Sequence, residues 1–175
     1  MTLAVLCPDP STNPLHFAAF RGDTKILNAH LSDETNLDAA DHEGRTALHY
    51  AAYGNEAAIG AFIVECGADV NAVDLLLDTP LHAAARSGSR LVASMLLWGE
   101  ADPLLQNASG ETALHVAAKR GDRDIAWLLT ENRGGDAAVE VKDSKGNTPL
   151  DYAKESGNSE LVEMLAKCKA ERGSK

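Results

Sequence analysis

One short phrase recurs along the chain at a nearly fixed interval, and this periodicity constrains the fold more than any other feature. Asn13-Pro14-Leu15-His16 is followed by Thr46-Ala47-Leu48-His49, Thr79-Pro80-Leu81-His82, Thr112-Ala113-Leu114-His115 and Thr148-Pro149-Leu150-Asp151. The spacings are 33, 33, 33 and 36 residues. Self-similarity at one period means an array of like units, each stabilised by its neighbours rather than by a core of its own.

Each phrase reads as the start of a helix. Thr or Asn offers a side-chain oxygen to the free N–H groups of the first turn. Proline at the first helical position has no N–H to lose and a preset φ. An alanine pair follows at Ala18-Ala19, Ala51-Ala52, Ala84-Ala85 and Ala117-Ala118, letting neighbouring helices approach closely. The helix is expected to end at Gly22, Asn55, Gly88, Gly121 or Gly157, residues that tolerate left-handed φ. A second helix follows, with apolar residues at helical spacing such as Ile59, Phe62 and Ile63, or Ile125, Leu128 and Leu129. A short extended piece then leads through a turn into the next unit.

Helix, turn, helix and connecting hairpin on this period, with T-P-L-H-x-A at Thr79 to Ala84, resembles the ankyrin repeat. The resemblance covers nearly the whole chain as one domain, residues 1–175, in five units: roughly 9–40 as an N-terminal cap, 41–73, 74–106, 107–142, and 143–175 as a C-terminal cap. It implies an all-α repeat solenoid in which helix-turn-helix units are linked by β-hairpin fingers. Inner helices and fingers would line a concave face, and outer helices would form the back. Two departures stand out. Asp151 replaces the fifth histidine, and the junction from Asn132 to Asp143 carries three extra residues, expected to lengthen a loop or displace the last finger.

The histidines His16, His49, His82 and His115 occur once per unit, so the array sets them in a row rather than around a point. The resemblance implies that each imidazole braces neighbouring backbone, and no metal site is expected. No phosphate-binding loop, nucleophile elbow or zinc-protease motif occurs, so neither catalysis nor a cofactor is expected. Three widely spaced cysteines, Cys7, Cys66 and Cys168, suggest reduced thiols. The formal charge of −10 argues against nucleic-acid binding. No apolar run approaches the ~20 residues that span a bilayer, and the start of the sequence does not read as a signal peptide. A cytoplasmic or nuclear protein, monomeric on its own and without membrane contact, is expected.

Function must then come from surfaces, and three are candidates. On the inner helices, residues one and four after each motif histidine share a face: Phe17 and Phe20, Tyr50 and Tyr53, Ala83 and Arg86, Val116 and Lys119. Arg21 and Arg120 come one residue later. Phe20 and Tyr53 are expected to be apolar anchors, and Arg86, Lys119 and Arg120 to select an acidic segment of a partner. On the outer helices, Trp98 and Trp127 stand where the family usually has charged residues, and form a possible second patch. At the turns, Asp41-His42-Glu43-Gly44-Arg45, Asn107-Ala108-Ser109-Gly110-Glu111 and Asp143-Ser144-Lys145-Gly146-Asn147 share a glycine. The remaining turn reads Asp74-Leu75-Leu76-Leu77-Asp78, with Leu77 in the glycine's place. Local folding gives no reason for three leucines there, and clustered exposed apolar residues mark interfaces. The alternative is that they pack onto Leu104 and Leu105.

The sequence therefore describes a non-enzymatic interaction module that binds a protein partner with an acidic and apolar segment. The expected contact residues are Phe20, Arg21, Arg45, Tyr53, Leu75, Leu76, Leu77, Asp78, Arg86, Lys119 and Arg120. A permanent subunit of a larger assembly is the second reading, and an enzyme or small-ligand binder the third.

Overall fold

The computed structural model describes residues 13–32, 35–132 and 135–172. All regular structure among them is helical. The helices come in pairs: α1 (Pro14–Arg21) with α2 (Thr24–His30), α3 (Ala47–Gly54) with α4 (Ala57–Glu65), α5 (Pro80–Ser87) with α6 (Arg90–Trp98), and α7 (Ala113–Arg120) with α8 (Arg123–Glu131). A short turn of helix, α9 (Gly135–Ala138), precedes the last pair, α10 (Pro149–Ser156) and α11 (Ser159–Arg172). No described residue is in a β-strand, so the expected hairpins are seen only as tight turns.

The predicted starts and stops are where the structure has them. Asn13, Thr46, Thr79, Thr112 and Thr148 are the N-cap residues of α1, α3, α5, α7 and α10. These helices end at Gly22, Asn55, Gly88, Gly121 and Gly157, all left-handed. At Thr79 the cap is reciprocal. The His82 amide donates to Thr79 Oγ1 at 3.4 Å, and the Thr79 amide donates to His82 Nδ1 at 3.2 Å. The longer junction before the last unit contains α9, whose Ala138 is fully buried.

Helices of eight residues are too short to persist alone in water, so packing must supply their stability. The chain divides into two compact units, Met1–Ala101 and Asp102–Lys175. In the first, α1 packs on α3 and α3 on α5, while α4 packs on α6. Ala18, Ala19, Ala51, Ala52, Ala84 and Ala85 are wholly buried along the inner row, and Leu27, Ile59, Ile63, Val92 and Leu96 fill the space beneath the outer helices. Hydroxyls of Ser87 and Ser89 both donate to the Ala52 carbonyl, at 2.9 and 2.8 Å, joining α5 to the end of α3. In the second unit, α7 packs on α10, and α8 on α11. Its core holds Leu114, Ile125, Leu129, Leu161 and Leu165.

Candidate functional site

An acidic or amide side chain builds every inter-repeat turn. Asp41 Oδ1 accepts the amides of Glu43 and Arg45 at 2.8 and 2.9 Å, and the Gly44 amide donates to the Asp41 carbonyl at 3.0 Å. Asp74 repeats this with Leu76 and Asp78, at 2.8 and 2.9 Å. Asn107 and Asp143 do the same for the later turns. Within each unit, consecutive turns are joined edge to edge. The Leu75 amide donates to the Glu43 carbonyl at 2.9 Å, and the Ser144 amide to the Ser109 carbonyl at 3.0 Å.

This scaffold forces one position of each turn into left-handed φ. Gly44, Gly110 and Gly146 have φ of 79°, 73° and 83°. Leu77 has φ 58°, a conformation that costs a branched L-residue ~1–2 kcal/mol. Leu75, Leu76 and Leu77 are 73%, 64% and 47% exposed. The leucines therefore project from a rigid turn and are mostly uncovered.

The histidine row is structural. In His49 and His115, Nδ1 accepts the amide of Thr46 or Thr112 at 3.1 Å, which places the proton on Nε2. Nε2 then donates to the carbonyl of the next turn, Asp78 at 2.9 Å and Asn147 at 3.2 Å. His16 donates likewise to Ala39 at 2.8 Å, but its Nδ1 is buried without a hydrogen bond, because Asn13 does not present its amide as the threonines do. Burial pushes the pKa of His16, His49 and His115 down, against the carbonyls that raise it. Asp151 reproduces the near half of the brace, accepting the Thr148 amide at 3.0 Å and its hydroxyl at 2.7 Å.

Three expected contact residues are not on the surface. Phe20 is 9% exposed and sits edge-on to Tyr50, with ring centroids 6.5 Å apart. It belongs to an internal aromatic cluster in which Tyr50 also stacks on His16 and meets Tyr53 edge-on. Arg45 is buried, paired with Asp41 at 3.0 Å and Glu43 at 2.7 Å, and lies over the Tyr50 ring. Asp78 is buried too, and its carboxylate pairs with Arg86. Phe20 meets Tyr50 of the next repeat, whereas Arg45 and Asp78 are held by partners within their own repeats. Tyr53 is half-buried, and Arg21 is exposed at the end of α1.

Two of the expected cations are paired from within. Arg86 and Lys119, each four residues after a motif histidine, reach back to the acid that precedes the cap, Asp78 and Glu111 respectively. Lys119 also lies over the Tyr152 ring at 4.3 Å. Burial lowers the Lys119 pKa, and Glu111 and Tyr152 outweigh it, leaving it raised. Arg120 is exposed. These intramolecular pairs were missed in the sequence because Asp78 and Glu111 precede the helix caps and lie outside the i, i+3 and i, i+4 spacings at which helical side chains meet. The recurring acid before the cap was the available signal.

Trp98 is 87% exposed and Trp127 is 45% exposed. A shallow pocket of about 460 Å³ near α2 and α4 is lined by Asn28, Leu31, Ser32, Thr35, Leu37, Phe62 and Cys66. It gathers no acid–base pair. Among the described residues, no helix is long and apolar enough to cross a membrane, and no three metal-ligating side chains cluster.

The family model described as ankyrin repeats, in three copies, matches residues 3–74 and 81–175. No curated protein matches the chain.

Proposed function

Because the chain belongs to the ankyrin repeat family, whose members generally serve as protein–protein interaction modules, we propose that it is a non-enzymatic adaptor. It docks a protein partner through the Leu75-Leu76-Leu77 tip. The supporting observation is the set of three leucines held in water by a turn whose other copies carry glycine. A strained and solvent-facing apolar tip contributes nothing to folding that His-Glu-Gly at 42–44 does not supply better. In this reading the turns are the tips of the family's hairpin fingers. Their Asp-held geometry means the receptor is ordered before binding, which lowers the entropic cost of association.

The partner would offer an apolar pocket for the leucines, flanked by acidic groups. Arg21, Arg86, Lys119 and Arg120 would orient it rather than hold it, since Asp78 and Glu111 already satisfy two of the cations. The test replaces Leu75, Leu76 and Leu77 with His, Glu and Gly. Affinity capture with the natural chain identifies the partner, and binding isotherms then compare the two proteins. We expect stability level or raised and binding weakened more than tenfold, equivalent to ~1.4 kcal/mol or more. Equal affinities would refute the leucine tip as the docking element.

A further inference from the structure

The outer face of α6 is uncharged along its whole length. Leu91 and Trp98, seven residues apart, share one face and lie about 10 Å apart along the axis, while Met95 between them is half-buried with its Cε against Gly60 of α4. Leu91 is 67% exposed and Trp98 87%. The corresponding helix of the next repeat, α8, carries Arg123, Asp124 and Glu131 beside its tryptophan. Leu91 and Trp98 are left mostly uncovered, and removing such apolar surface from water favours association.

Charge occurs only at the two ends of this face. Arg90 opens α6, and Glu100 follows its last residue, Trp98, by two positions. Both are exposed, and neither takes part in an ion pair among the described residues. This order makes the face self-complementary under a two-fold rotation. With two copies of α6 antiparallel and the axis near Met95, Leu91 of one copy meets Trp98 of the other. Arg90 then faces Glu100 of the other copy, twice by symmetry. A parallel pairing would instead oppose arginine to arginine and glutamate to glutamate.

We infer that the α6 face is an isologous dimer interface that binds a second copy of this chain, in place of the monomer expected from the sequence. The contact is independent of the leucine tip, which lies at a turn rather than on the outer helix. One short helix per copy gives an interface at the small end of specific contacts, below ~1,200 Å² in total, so dissociation in the roughly micromolar range is expected. At physiological ionic strength the Debye length of ~8 Å screens the general repulsion between two chains of formal charge −10, leaving the close Arg90–Glu100 contacts.

Sedimentation equilibrium of the full chain, from roughly 1 to 500 µM, tests this. The natural chain is expected to pass from monomer to dimer across that range. Arg90→Glu alone and Glu100→Arg alone each create two like-charge contacts, and each should weaken self-association at least tenfold. An equimolar mixture of the two variants restores both contacts in a heterodimer, so it should associate within about threefold of the natural chain. Thermal unfolding verifies that each variant remains folded. A chain that stays monomeric throughout overturns the inference. So does a mixture that associates no better than its components, because the Arg90–Glu100 pairing between copies requires that rescue.

Discussion

The amide of Leu77 donates to the carbonyl of Asp74 at 2.9 Å while Leu77 holds φ at 58°. The hydrogen bond closes the turn, and the turn holds the Leu77 backbone in the left-handed region. Leu77→Gly should therefore raise stability by about 0.5–1 kcal/mol, the left-handed strain relieved less the greater chain entropy that glycine loses on folding. A urea midpoint shifted to higher concentration with unchanged slope is the expected result. A lower midpoint would show that Leu77 packs usefully in the folded state.

Two glycines separate close approach from backbone freedom. A Cβ on Gly54 would lie 2.2 Å from the Phe20 carbonyl oxygen, so α1 and α3 would have to part. Gly146 has φ 83° but open space around it. Gly54→Ala should cost about 3 kcal/mol or more, by overpacking against backbone. Gly146→Ala should cost only about 1–2 kcal/mol, by left-handed strain. Chemical denaturation of the two variants tests the order, and a reversal would contradict the α1–α3 contact.

The sequence reading makes Arg86 a selector of acidic partner segments. The structure gives it a partner within the fold as well, because the Arg86 guanidinium is bonded to the buried carboxylate of Asp78. Arg86→Glu should destabilise the chain by about 1–3 kcal/mol, since it leaves a buried charge facing a like one. Asp78→Asn combined with Arg86→Gln should recover part of the loss. Thermal unfolding of the single and double variants would measure it. A neutral Arg86→Glu would mean that the pair carries no weight.

Acid should unfold the protein in two stages. Burial holds His16, His49 and His115 below the ordinary value of 6.5. The unfolded chain therefore takes up these protons first, so their contribution is complete above pH 6.5 and is lost as pH falls below it. Asp41 sits at about 2 rather than 3.8. Burial raises its pKa, but the Tyr50 hydroxyl, the amides of Arg45 and Glu43 and the Arg45 guanidinium outweigh that. Its contribution is present above 3.8 and lost as pH falls toward 2. Urea midpoints measured from pH 8 to pH 3 should decline below pH 6.5 and steepen below 4. Flat stability from pH 7 to pH 5 would contradict the buried neutral histidines.

What the sequence determined by itself is whatever depends on neighbours three or four residues away. Thr79 and His82 meet through one helical turn, Gly88 stops the helix by its own φ preference, and Leu77 inherits the φ of the glycine it replaces. A fixed period multiplies these local signals, so the repeat family was legible as well. What only the tertiary structure decided is which side chains the next repeat covers. Phe20 and Arg86 hold equivalent positions after their histidines, yet Phe20 is buried against Tyr50, while Arg86 is half-exposed and tied to Asp78. The helical period fixes the direction a residue faces. Whether water or a neighbour stands there depends on packing between residues some thirty positions apart, and on pairs such as Arg86–Asp78 that bridge a turn and a helix.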